Sequence, residues 1–276
     1  MASWFILAAS LTTLATHRFI ATFLLLLATT IALFTGVLSW QAILLFVAII
    51  VIGVIGWRFQ YHVWVKVISE VTLVICAVGL LIHFFPGFHN LKYLDSVIVG
   101  EQSRPFTMYF NFDKALVPFV LLFCLPSLFS AQAPKTAKPW QWWLLIIAVP
   151  MLLVVAAIAG GLGFEWHLPT WLPAFIICNL LFVSLAEEAL FRGYLQQRLT
   201  QWFGSPYLAL IVCALVFGAV HFAGGPLLIL FATLAGIIYG LAWMWSGKLW
   251  LAVSFHFGLN LLHLLFFTYP VKMVAG

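Results

Sequence analysis

Charged side chains are scarce in this chain, so their positions carry information. Of 276 residues only seven are Asp or Glu and twelve are Lys or Arg. Three of them fall in one otherwise apolar stretch, Ala186-Glu187-Glu188-Ala189-Leu190-Phe191-Arg192. An ionisable group deep in a membrane span costs about 2.5–3.5 kcal/mol on insertion scales and usually marks function. On an α-helix Glu188 and Arg192 share a face with the acid first, the favourable order, and their pairing offsets much of that cost. Glu187 then points about 100° away, with no evident partner on its own helix. The next apolar stretch ends Phe217-Gly218-Ala219-Val220-His221, and the last contains His256-Phe257-Gly258-Leu259-Asn260, with His263 one turn on. Singly, an acid pair with an arginine can lock helices, a histidine can be structural, and Asn and His can be interhelical glue. Together they are an inventory for activating water. A carboxylate can take the proton, a histidine can share that role or bind a metal, and a second histidine and an amide can donate to an oxyanion.

Glu187-Glu188-x-x-x-Arg192, Phe217-x-x-x-His221 and His256-x-x-x-Asn260, in that order, resemble the three-part signature of the CPBP intramembrane proteases. This is the CAAX-prenyl-protease and bacteriocin-processing family, also called the Abi family. The resemblance covers about residues 141–268. It implies an intramembrane endopeptidase in which Glu187 and His221 activate the attacking water and His256 and Asn260 stabilise the oxyanion. By the same likeness Glu188 and Arg192 hold the geometry and Phe217 supports it by packing. The metal question stays open. Glu187, His221 and His256 are the candidate ligands of a catalytic zinc with an open water position, and a metal-free glutamate–histidine route uses the same groups. No His-Glu-x-x-His lies on one helix, so the usual zincin pattern is absent. His263 lies outside the signature and reads as a supporting residue.

These residues need elements to position them. The chain is 65% hydrophobic and 7% charged, against about 25% charged in soluble domains. It reads as an all-α, polytopic transmembrane helix bundle. A span needs about 20 apolar residues, and the candidates are 4–16, 20–38, 41–57, 64–85, 114–130, 141–160, 171–197, 206–222, 226–245 and 249–268, about eight to ten spans in all. The first is short and reads as a retained anchor rather than a cleaved signal. Residues 1–113 read as N-terminal spans plus a loop without an assigned role, and 114–276 as the catalytic core. The loop Pro86–Asp113 opens on Phe85-Pro86-Gly87 and reads as an extramembrane connector. Gly236-x-x-x-Gly240 permits close helix approach, and Gly224-Gly225-Pro226 marks a break after His221.

The positive residues are scattered at span ends, as the positive-inside bias produces, and form no nucleic-acid footprint. Cys76, Cys124, Cys178 and Cys213 lie in apolar runs and read as core residues. The partners expected are the lipid bilayer and a membrane-associated protein or peptide substrate, with no nucleic acid. The location expected is a bacterial plasma membrane, crossed many times. Two other readings use the same inventory: a non-catalytic membrane scaffold or immunity protein, and a proton-coupled transporter. The paired broken helices of an inverted-repeat transporter are not evident.

Overall fold

The structure, a computed structural model, describes residues 1–273. Ten helices run through them: α1 (Ala2–Thr13), α2 (Arg18–Phe34), α3 (Trp40–Arg58), α4 (Val63–Leu81), α5 (Phe112–Cys124), α6 (Pro139–Ile158), α7 (Leu172–Phe203), α8 (Pro206–Ala219), α9 (Gly225–Ser246) and α10 (Leu249–Phe266). Six stretches are long and apolar enough to cross a membrane: α3, α4, α6, α7, α9 with the turn before it, and α10. Helices α1, α2 and α8 are apolar but shorter. The protein is a multi-pass membrane protein built of helices.

The chain forms two compact units that interleave along the sequence. The first comprises Met1–Lys92, Tyr109–Phe129 and Leu181–Leu190, and the second comprises Tyr93–Met108, Ser130–Leu180 and Phe191–Gly276. Helix α7 thus gives its middle to the first unit and both ends to the second.

In the first unit, α1 buries Trp4, Leu7, Ala8 and Leu11, residues at helical spacing. Trp4 meets Phe110 and Phe112 edge-on, each with ring centroids 5.7 Å apart. Such edge-to-face pairs add to the burial of the rings themselves. Helix α4 ends at Leu81, and in the turn after it His83 has a φ of 60°, in the left-handed region. There its Nδ1 meets Asp113 Oδ2 at 2.6 Å. The same carboxylate accepts from Asn90 Nδ2 at 3.0 Å, and Asn90 Oδ1 accepts from the backbone N–H of Phe112. Asp113 stands in the first turn of α5, where the helix dipole favours an acid. These bonds anchor the start of α5 and therefore the neighbouring Lys114.

The loop expected between α4 and α5 contains a two-stranded ribbon, β1 (Leu91–Val97) and β2 (Phe106–Phe110). This is a small exception to the all-helical reading. Both strands carry the aromatic and β-branched residues that suit a pleated surface.

In the second unit, α8 and α9 pack closely through the small residues read from the sequence. A Cβ added at Gly236 would stand 3.2 Å from the Ala214 Cα, and one at Gly240 would stand 2.3 Å from Leu210 Cδ1. A larger residue at either position would force its neighbours to shift. Leu153, Ala156, Leu162 and Phe267 form a buried apolar cluster with Phe231, Leu259 and Leu262 against it. One end of this unit is closed by three loop segments tied by backbone hydrogen bonds. Thr268 N–H donates to Gly163 O, Arg104 N–H to Val271 O, Met273 N–H to Gln102 O, and Glu165 N–H to Phe266 O.

Candidate active site

Helix α7 carries the acidic motif, and it is not a regular α-helix. Cys178–Ser184 and Ala189–Gln196 are π-helical, and Leu185–Glu188 is a single α turn between them. π-Helical turns are rare and concentrate at functional sites. The wider winding begins at Ala189, directly after the acid pair.

Within the first unit the two glutamates differ. Glu188 is fully buried, whereas Glu187 keeps some exposure. Helix α5 supplies Glu187 with a partner: Lys114 Nζ stands 3.8 Å from Glu187 Oε1. At that separation the pair is an electrostatic contact, too long for a hydrogen bond. The sequence reading missed Lys114, which stands at the first position of the candidate span 114–130 and so reads as an ordinary cation at a span end.

The other predicted residues lie in the second unit. His221, His256 and Asn260 line one cavity of about 730 Å³, with Phe217, Tyr239 and His263 also in its wall. That is a volume typical of small-ligand sites. His221 sits just past the end of α8, in the turn before α9 that Gly225 (φ +83°) permits. Its Nδ1 lies 2.7 Å from the carbonyl of Phe217. A carbonyl can only accept, so Nδ1 carries the hydrogen and the neutral ring leaves the Nε2 lone pair for chemistry. His256 is buried and stacks on Tyr239, with centroids 4.8 Å apart and planes 8° from parallel. Phe217 separates the histidines: its ring is 4.8 Å from His221 and 5.9 Å from His256. Asn260 Nδ2 donates to Asn179 Oδ1 at 3.2 Å. An amide nitrogen has two hydrogens, so one remains for another acceptor.

Arg192 lies beneath this aromatic group, fully buried. Its guanidinium carbon is 4.5 Å from the centre of Phe217 and 5.3 Å from that of Tyr239. Nη2 donates to Gly236 O at 2.9 Å. One turn on, Gln196 Nε2 donates to Gly240 O at 3.0 Å. The glycines that admit α8 thus also expose the carbonyls that Arg192 and Gln196 cap. Tyr239 and Asn179 went unnoticed in the sequence. Asn179 is an amide in an apolar span, the same signal that revealed Asn260, and Tyr239 lies between the two glycines of Gly236-x-x-x-Gly240.

His263, set outside the signature, is in the cavity wall with Nε2 3.1 Å from Thr268 O. A zinc site asks for three convergent donors, and among the described residues no group of three His, Cys, Asp or Glu is placed to hold an ion.

Residues 169–262 match the family described as Rce1-like, type II CAAX prenyl endopeptidase Rce1-like. This segment is similar to that family. The match contains Glu187, Glu188, Arg192, His221, His256 and Asn260, and lies inside the stretch whose motifs carry the resemblance. A relative in Bacillus subtilis (strain 168), the uncharacterized protein YpbD, is 30% identical over 128 residues. The alignment takes in 42% of this chain and 62% of YpbD, so the chain spans less than two thirds of that relative. No solved structure matches the chain.

Proposed function

We propose that this protein is an intramembrane endopeptidase that hydrolyses a peptide bond of a membrane-associated protein or peptide. The observation that carries the reading is that His221, His256 and Asn260, all within the stretch that matches the Rce1-like family, line one cavity. The family description points to C-terminal segments of membrane-anchored proteins as the substrate class. The organism of the relative favours a bacterial plasma membrane as the location.

The proposed chemistry uses protein groups alone. Glu187, with His221 Nε2, takes a proton from a water molecule, whose oxygen forms a bond to the scissile carbonyl carbon. The carbonyl oxygen becomes an oxyanion and accepts hydrogen bonds from His256 and from the second Nδ2 hydrogen of Asn260. The C–N bond then breaks, and the proton held by the glutamate–histidine pair passes to the leaving amine. The products are a carboxylic acid, which loses its proton to solvent, and a free amine. Glu188 and Arg192 hold the helix around this site. The reading requires Glu187 to reach the same water as His221.

The test is cleavage of a membrane-anchored reporter peptide by the purified protein in liposomes, run beside a proton-flux assay on the same vesicles. Cleavage by wild type, abolished in Glu187→Ala and His221→Ala variants that remain inserted and folded, supports the proposal. Flux without cleavage replaces it with the transporter reading, and neither activity favours a scaffold. A chelator arm decides the metal question. Activity lost to chelation and restored by zinc shows that a metal is used and makes Glu187, His221 and His256 the ligands to vary next, and activity that survives supports the metal-free route.

A further inference from the structure

The cavity that holds His221, His256 and Asn260 extends to a rim of different chemistry. Arg104 and Lys272 line it there. They sit on two segments joined by backbone hydrogen bonds, Arg104 N–H to Val271 O and Met273 N–H to Gln102 O. Both side chains are exposed, and among the described residues neither forms an ion pair. No Asp or Glu lines the cavity, and its wall carries two positive charges.

The rest of the wall is apolar. Leu227 and Leu228, in the first turn of α9, line the cavity and are 39% and 41% exposed, and Val271 and Met273 bring further exposed apolar surface to the rim. The cavity is thus open on an apolar side. The rim belongs to the cap that follows the ends of α6 and α10, and that cap carries exposed Phe164 and Trp166, with Trp166 edge-on to Phe266. Aromatic side chains just beyond span ends are characteristic of the headgroup level of a bilayer.

From this arrangement we infer that the cavity binds an anionic phospholipid, with its phosphate at Arg104 and Lys272 and an acyl chain along Leu227 and Leu228. A basic pocket between membrane helices is a recognised way to hold such a headgroup. The lipid fits better than a soluble anion because the cations border apolar wall. The inference does not depend on the hydrolytic reading. A bound lipid would share the cavity with His221, His256 and Asn260 and so compete with, or line the path of, whatever the site accepts.

The test is native mass spectrometry of the full chain purified in detergent, with phosphatidylglycerol and phosphatidylcholine of identical acyl chains added in turn. Retention of phosphatidylglycerol in preference to phosphatidylcholine is expected. Each cation near an anionic headgroup is worth on the order of fivefold in affinity, so the double variant Arg104→Gln/Lys272→Gln is expected to lower phosphatidylglycerol retention roughly 25-fold and that of phosphatidylcholine, whose phosphate is offset by choline, by much less. Leu228→Trp, which intrudes on the apolar wall, is expected to weaken both lipids, and millimolar inorganic phosphate is expected to displace neither. Equal retention of the two lipids by wild type, or an unchanged preference in the double variant, overturns the inference. Full displacement by phosphate assigns the rim to a free anion instead, and indifference to Leu228→Trp shows that no acyl chain enters. If the double variant keeps its lipid but raises KM for a peptide with a free C-terminal carboxylate, the rim reads peptide and the lipid assignment fails.

Discussion

At His221 one contact decides the chemistry available. The Phe217 carbonyl fixes hydrogen on Nδ1 and leaves Nε2 as the acceptor. If Glu187 and His221 act as one base, the double Glu187→Ala/His221→Ala variant should be no slower than either single variant, because residues that work as a unit lose their effect once. Single-turnover cleavage rates of the three proteins check this, and additive losses would separate the two roles. Asn260 stands differently. Removal of one oxyanion donor typically costs about 10²–10³ in rate, so Asn260→Ala should retain measurable cleavage where His221→Ala retains none. Arg192 makes a third case. Its planar guanidinium lies against Phe217 and reaches Gly236 O, a geometry that an ammonium cannot copy. Arg192→Lys should cost about 2–4 kcal/mol of stability through the lost stack and hydrogen bond. A thermal unfolding midpoint that matches wild type would show that charge alone is required there.

Among the elements, the α8–α9 pair carries the sharpest steric demand. An added methyl at Gly240 meets Leu210 and Gln196, whereas one at Gly258 in α10 meets nothing within 4 Å. Gly240→Ala should therefore destabilise by about 1–3 kcal/mol, and Gly258→Ala should be neutral or stabilise by about 0.5–1 kcal/mol through helix propensity. Unfolding midpoints in detergent compare the two, and equal effects would contradict the packing described. This contrast also marks what the sequence could convey. Long apolar runs bounded by Pro, Gly and charge placed ten helices close to where they stand, and Gly236-x-x-x-Gly240 predicted a close approach. The spacing could not reveal that α7 turns π-helical on both sides of Glu187 and Glu188, because that winding is set by packing around the helix rather than by its own periodicity. Nor could it separate β1 and β2 from the polar loop that contains them, since a short ribbon of mixed residues lacks a long apolar signal. Tyr239 was hidden for another reason: a tyrosine in an apolar span reads as core until its stack on His256 is seen.

At the scale of the molecule, the cap over the cavity depends on one carboxylate. Glu165 accepts from Ser103 Oγ at 2.6 Å and from the Gln102 N–H at 2.9 Å, and it lies 3.1 Å from His167 Nε2. His167 in turn meets Leu264 O through Nδ1, and Ser103 Oγ accepts from the Tyr269 N–H. One side chain thus ties the segment carrying Arg104 to the segment carrying Lys272. Partial burial would raise the Glu165 carboxyl, but hydrogen bonds from Ser103 and Gln102, with His167 beside it, outweigh that and hold it below the usual carboxylate range. The sign follows from linkage. The unfolded chain binds the proton at a higher pH than the native cap does, so the stabilisation is complete above the ordinary glutamate value of about 4.3 and fades as pH falls through the lowered native value. Glu165→Gln should consequently melt below wild type at pH 7, and the gap should close as the pH is taken below about 4. Tryptophan fluorescence of the detergent-purified protein follows this directly, since Trp166 lies within the cap. A gap that persists unchanged into acid would mean that Glu165 serves the cap by shape and not by charge. A gap absent at pH 7 would mean that the backbone bonds among the three loop segments close the cavity without it.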